Sequence, residues 1–170
     1  DIRGHGDSTW PAPHAGLSLE TLVNDITGLL DSLAIPRVHF VGASAGGIVG
    51  LKFAHAHPHR VRSLTLVAST PRLAQTDFDL SRWGETIRKE GVKAWLMGDA
   101  APRFGKGVSP ALVEWFAEEG ARASAAVARA FTSYMATVDL TALLPEIETR
   151  TLILAAEEDQ ITPMSVQLLL

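Results

Sequence analysis

The 170-residue chain contains no cysteine, which excludes a disulfide framework, a thiolate nucleophile and any cysteine-ligated metal site. That absence fits a reducing compartment, and a cytoplasmic protein is expected. An excess of basic residues is lacking too: 15 Lys plus Arg stand against 19 Asp plus Glu, a formal net charge of −4. The chain therefore has no basic footprint for nucleic acid. No uninterrupted apolar run reaches bilayer-spanning length, so no membrane partner is expected. There is also no Asp or Glu between Asp31 and Asp77. What remains is 46% hydrophobic and 20% charged, the composition of one globular domain with a sizeable core.

The stretch from Val38 to Val49 reads as strand, sharp turn and helix. A β-branched and aromatic run stops at Gly42, and an apolar helical pattern (Ile48, Val49, Leu51, Phe53) resumes after Gly47, leaving Ser44 at the tip of the turn. G-x-S-x-G between a strand and a helix is the pattern of a nucleophile elbow. Its serine sits in a strained backbone conformation, and its flanking glycines, here Gly42 and Gly46, let strand and helix pass without Cβ clashes. The helix that follows aims its first N–H groups at the serine, so the backbone N–H of Ala45 is a natural oxyanion donor. A second chemistry is open to the glycines at 42, 46, 47 and 50, namely cradling a dinucleotide pyrophosphate. That use needs an acidic residue about 20 positions on. The acid-free interval after Asp31 removes it, as does the absence of G-x-G-x-x-G, and no cofactor is expected.

Upstream, Ser18 to Ala34 predicts an amphipathic helix with Leu19, Leu22, Val23, Ile26, Leu29, Leu30 and Leu33 on one face, Ser18 as its cap and Pro36 after its end. Downstream, Val61 to Ala68 and Thr151 to Ala156 predict two more buried strands. Strands alternating with helices imply a parallel sheet in an α/β fold. His55, His57 and His59 cluster where the elbow helix ends at Pro58, but no carboxylate or cysteine completes a ligand set, so they read as helix-end histidines and no metal is expected. Between Pro71 and Val138 strand signals stop. Helical patterns over Leu80–Met97, Pro110–Glu119 and Ala121–Thr137 carry most of the large side chains (Trp83, Trp95, Trp115, Phe116, Phe131, Tyr134), as a cap inserted between two strands would. A short helix is predicted from Asp139 to Ile147. The strand at 151 runs into Glu157-Glu158-Asp159, and an acid just past the carboxyl end of a parallel strand lies on the same edge as the elbow serine. Asp159 is therefore the candidate triad acid, ahead of Asp77 and Asp79, while Glu157 and Glu158 read as solvated turn residues.

Four motifs, D-x-R-G-H-G-x-S at 1 to 8, G-A-S-A-G-G at 42 to 47, P-H-R-V at 58 to 61 and E-E-D-x-x-T-P at 157 to 163, resemble the α/β-hydrolase superfamily along nearly the whole chain. The resemblance implies a partial α/β-hydrolase fold in which 1–70 and 139–170 form the core and 71–138 a helical cap. Its three strands would be the fifth, sixth and seventh of the family's sheet. It also implies that Asp1 and Arg3 brace a loop near the site. His5 reads as a loop residue rather than the base, because the family's order is serine, acid, then histidine. The catalytic histidine should follow Asp159, yet the last histidine is His59, so it and the second oxyanion donor are expected outside this chain. The start at Asp1 without methionine and the open-ended helical pattern at Leu168–Leu170 read as a chain cut at both ends. Such a piece is expected to be inactive and to expose two unpaired strand edges.

A narrower resemblance, on Trp83, Glu90-Gly91 and Asp139-Leu140, is to 3-oxoadipate enol-lactonase-type esterases and lactonases; G-A-S-A-G-G is similar also to hormone-sensitive-lipase-like esterases. Ala156 and Arg150 depart from the Gly and Pro that members often carry there. The resemblance implies a serine hydrolase acting on a small-molecule ester or lactone through Ser44, Asp159 and the Ala45 N–H. C–C bond hydrolysis, haloperoxidase-type chemistry and a non-enzymatic sensor on the same fold stand as alternatives. The oligomeric state is left open.

Overall fold

The computed structural model describes residues 1–10, 17–73 and 80–170; Asp77 and Asp79, the alternative acids, lie outside the described residues. The chain forms two compact units, one of Ser18–Thr76 with Thr137–Leu170, the other of Asp1–Leu17 with Asp77–Ala136.

The first unit is a parallel sheet with helices. Helix α1 (Leu19–Ser32) begins where Ser18 Oγ accepts the Thr21 N–H at 3.1 Å, and it buries Leu19, Leu22, Val23 and Leu30. Leu29 and Leu33, expected on the same face, are 58% exposed, because the apolar stripe is wider than the surface α1 meets in this unit. Strand β1 (Val38–Ala43) leads through Ser44 into α2 (Ala45–Ala56), and β2 (Val61–Val67) and β3 (Thr151–Leu154) complete the sheet in the order β1-β2-β3. Both pairings are parallel, with Ala43 opposite Val67 and Val67 opposite Leu154, so the three strands end in one row. That row carries the candidate site residues.

Side chains alternate across the sheet. Phe40, Gly42, Leu64 and Leu66 share the face on which Phe40 meets Phe53 of α2, at 5.8 Å between ring centroids. Gly50 lets the helix settle there, since a Cβ on it would lie 2.7 Å from the Phe40 ring. The opposite face carries Val41, Leu152 and Leu154, which are 68%, 55% and 48% exposed. The strand at 151 was expected to be buried. It is instead exposed along all four residues, as the outer strand of the three. Arg72 and Asp139 form an antiparallel bridge and an ion pair of 3.7 Å, so the chain leaves and re-enters this unit side by side. The segment after it, Thr141–Glu146, is a 3₁₀ helix.

The second unit is helical. The single helix expected over 80–97 is two, α3 (Leu80–Glu90) and α4 (Val92–Gly98), because Gly91 stands between them at φ 90°, a conformation no helix interior accepts. Then follow α5 (Ala100–Arg103), α6 (Pro110–Gly120) and α7 (Ala125–Met135). Ser109 and Ser124 cap α6 and α7 through the N–H groups of Leu112 and Val127, and Ile87, Val92, Leu96, Ala117 and Ala128 make the core. In the opening loop, which belongs to this unit, Gly4 and Gly6 take positive φ; a Cβ on Gly6 would collide with the Asp1 carboxylate.

Candidate active site

Ser44 sits at φ 49° and ψ −121° between the end of β1 and the start of α2. A non-glycine residue with positive φ is uncommon, and it persists only where the surroundings fix it. The Ser44 N–H donates to Val67 O at 2.9 Å, and its carbonyl accepts from the Ser69 hydroxyl at 2.9 Å and from the Gly47 N–H at 2.9 Å. A serine at a helix N-cap ordinarily turns its hydroxyl back onto the first-turn N–H groups. Here it makes no such bond, and the residue is exposed. The hydroxyl is thereby free to face a reactant. Ala45 opens α2, so its N–H has no helical carbonyl four residues back and points with the positive end of the helix dipole toward the Ser44 side.

The glycine requirement differs in part from the sequence expectation. A Cβ on Gly42 would meet the backbone of the α2 entry, 2.5 Å from Gly46 C and 2.7 Å from Gly47 N; one on Gly47 would strike the Ser69 side chain. One on Gly46 meets nothing within 4 Å among the described residues. Clearance at the turn therefore rests on Gly42 and Gly47.

Asp159 lies five residues past the end of β3, at the same sheet edge as Ser44. Its Oδ1 accepts the N–H groups of Ile161 (2.9 Å) and Thr162 (2.8 Å), and its Oδ2 accepts the Thr162 hydroxyl at 2.7 Å. These bonds fix the carboxylate. Glu157 and Glu158 are exposed, whereas Asp159 is half-buried. The loop is closed by Gln167 on α8 (Met164–Gln167), which is 1% exposed. Its Nε2 donates to the carbonyls of Ala156 and Thr162, and its Oε1 accepts the Ala156 N–H at 3.2 Å.

None of the four histidines of this unit stands at that edge. His39 Nδ1 lies 2.7 Å from Ser63 Oγ, five residues before Ser44, which is roughly 16 Å along a strand. His55 Nε2 pairs with Glu146 Oε2 at 2.9 Å, and His57 and His59 flank the turn into β2, at the opposite end of the sheet. Among the described residues no group of three His, Cys, Asp or Glu could hold a metal ion. His5, in the helical unit, packs edge-on against Phe131 with 5.5 Å between ring centroids.

Ser69, Thr162 and Gln167 were not singled out from the sequence. Thr162 stood inside the E-E-D-x-x-T-P motif, and Gln167 is the one amide in the apolar run from Val166 to Leu170, a signal that it could be buried with a task. Ser69 gave no signal, because its partner is 25 residues away.

A serine held at positive φ on a strand-to-helix turn, with a hydrogen-bonded carboxylate in the loop past the carboxyl end of a parallel strand, is the arrangement of the α/β-hydrolase fold. The chain belongs to the alpha/beta hydrolase fold family, whose model matches residues 1–170. It is 34% identical to a protein named putative carbamate hydrolase RutD of Variovorax paradoxus, over 96% of this chain and 63% of that one. It is 27% identical to 3-oxoadipate enol-lactonase 2 of Acinetobacter baylyi, over 97% and 62%. Among solved structures, an esterase of Exiguobacterium antarcticum matches with a TM-score of 0.89 and 26% identity, over 98% of this chain and 65% of that one. The chain spans a little under two thirds of the length of these relatives. Among the described residues no helix is long and apolar enough to cross a membrane.

Proposed function

We propose that Ser44 is the nucleophile of a hydrolase that cleaves a small-molecule carboxylic ester or lactone through an acyl-enzyme. The observation that carries this is the Ser44 conformation: φ 49°, exposed, its hydroxyl withheld from the helix cap. Ser44 Oγ adds to the substrate carbonyl while a histidine accepts its proton, and the oxyanion that forms is met by the Ala45 N–H. The tetrahedral species collapses, and the histidine returns the proton to the departing alkoxide. Water, deprotonated by the same histidine, then releases the acid and regenerates the serine. Asp159 holds the histidine in the correct tautomer and stabilises its imidazolium without taking the proton.

We assign the base to a histidine in the part of the family's length that this chain does not span, since no histidine of the strand unit stands near Ser44. The second oxyanion donor is assigned likewise, and residues 71–138 are assigned as the cap. The names of the relatives support a carbonyl substrate: lactone, ester and carbamate are all opened by the same addition to an acyl carbon.

The test is hydrolysis of p-nitrophenyl acetate, an enol-lactone and a carbamate by the whole protein. Ser44→Ala should lower kcat/KM by several orders of magnitude on whichever substrate is turned over. Full activity in that variant would overturn the assignment.

A further inference from the structure

The exit of β2 touches both halves of the site. Three consecutive residues there alternate between the two strands that carry the chemistry. Val67 O receives the Ser44 N–H at 2.9 Å. The Ala68 N–H turns the other way and donates to Leu154 O at 2.9 Å, at the end of the strand that leads to Asp159. Ser69 then turns back, and its hydroxyl, 2% exposed, donates to Ser44 O at 2.9 Å. Ala68 holds φ 44°, a left-handed conformation that an alanine rarely takes, and it stands between two residues that both bond the Ser44 peptide while its own N–H bonds β3. Beyond it, the Thr162 hydroxyl that donates to Asp159 Oδ2 at 2.7 Å has Ala68 O within its reach at 3.2 Å. Thr70, 1% exposed, donates to Arg72 O at 2.8 Å, with Val166 O within its reach at 3.2 Å on the helix whose Gln167 closes the acid loop.

We propose that Val67–Thr70 is a shared positioning strut that holds Ser44 and Asp159 in register with each other, with Ser69 and Thr162 as its positioning side chains. The proposal rests on the reading of Ser44 as nucleophile and Asp159 as acid. Neither Ser69 nor Thr162 touches the reactant. Ser69 acts through the Ser44 peptide, which it holds at positive φ from the carbonyl side while Val67 holds the N–H side. Thr162 acts through the carboxylate, whose Oδ2 it aims. Because Ala68 joins the two, loosening the strut at either end should displace the other.

The experiment compares Ser44→Ala, Ser69→Ala, Thr162→Val, Thr162→Ser and the double variant Ser69→Ala/Thr162→Val in the whole protein. It reads kcat and KM on the ester that the wild type hydrolyses, the rate of fluorophosphonate labelling of Ser44, and thermal stability. Ser69→Ala and Thr162→Val should each lower kcat and the labelling rate by about ten- to a hundredfold with KM unchanged, as a sub-ångström misplacement of reacting groups does. Thr162→Ser, which keeps the hydroxyl, should restore near wild-type values. The double variant should lose less than the product of the single losses, because both act on one segment. If both single variants keep full kcat and labelling, losing only thermal stability, their role is structural and the strut is overturned. If the losses multiply, two independent supports exist and the shared strut is overturned. Activity surviving in Ser44→Ala would instead overturn the underlying assignment, which keeps the two failures apart.

Discussion

At the strand-to-helix turn, Gly42 is fixed by space and Ser44 by its backbone conformation. An alanine at 42 would press its Cβ into the Gly46–Gly47 backbone, which cannot swing aside as a side-chain tip can. Gly42→Ala should therefore cost about 1–3 kcal/mol of stability and slow acylation at Ser44, whereas Gly46→Ala, whose Cβ meets no described atom within 4 Å, should spare both. Denaturant unfolding of the two variants side by side checks this; equal losses would show that Gly46 also sets the clearance. For Asp159, the Asn variant keeps the Oδ1 acceptor of the Ile161 and Thr162 N–H groups but loses the charge that stabilises an imidazolium. Turnover should fall by about 10⁴ with little loss of fold, while Glu158→Gln stays mild. Ser44 and Asp159 could be singled out as candidates from the sequence because each sits where a hydrophobic strand pattern breaks, and such breaks are local. Ser69 and Gln167 were not legible, since each acts on backbone groups that only the parallel pairing or the α8 turn brings within reach.

At the scale of elements, the strands and α1 followed from periodicity, but the helical segment broke in a place periodicity does not register. The apolar pattern continues through Gly91, and only its φ of 90° ends α3 and starts α4. The same segment holds a charged group in an apolar setting. Trp83 and Trp95 lie 5.3 Å apart by ring centroids, the Arg103 guanidinium stands 5.2 Å from each ring, and the Trp95 indole N–H donates to Asp99 Oδ2 at 2.9 Å. Burial pushes the Asp99 carboxyl above its ordinary value, against the pull of Arg103 and the indole bonds. A folded-state pKa above the unfolded one means that the folded form binds the proton more tightly, so ionised Asp99 costs stability once the pH has risen through that window. Asp99→Asn, which keeps an acceptor for the indole, should raise the melting temperature at pH 7, and the gain should vanish as the pH falls below about 4, where both states of the wild type are protonated. A lower melting temperature at pH 7 would mean that the Arg103 contact outweighs burial.

For the molecule as a whole, the parallel order was legible from the alternation of strands and helices, but the exposure of β3 was not, because exposure depends on what stands beside a strand and not on its own residues. Val41, Leu152 and Leu154 leave an apolar sheet face in water, and among the described residues the sheet ends at β1 on one side and β3 on the other. Unpaired strand edges and apolar patches of this kind drive association. The 170-residue chain alone should elute as oligomers or aggregates and bind an apolar dye, and a monomeric, dye-free species by light scattering would contradict that. Above all, the turn at 42–47 is proposed to present Ser44 as an acyl-accepting nucleophile. The most direct measurement of this is mass-spectrometric mapping of the adduct after a fluorophosphonate probe is added to the whole protein. A single phosphonylated residue, Ser44, is expected, with hydrolysis lost in proportion to labelling; an adduct elsewhere, or hydrolysis that survives complete labelling of Ser44, would overturn the assignment.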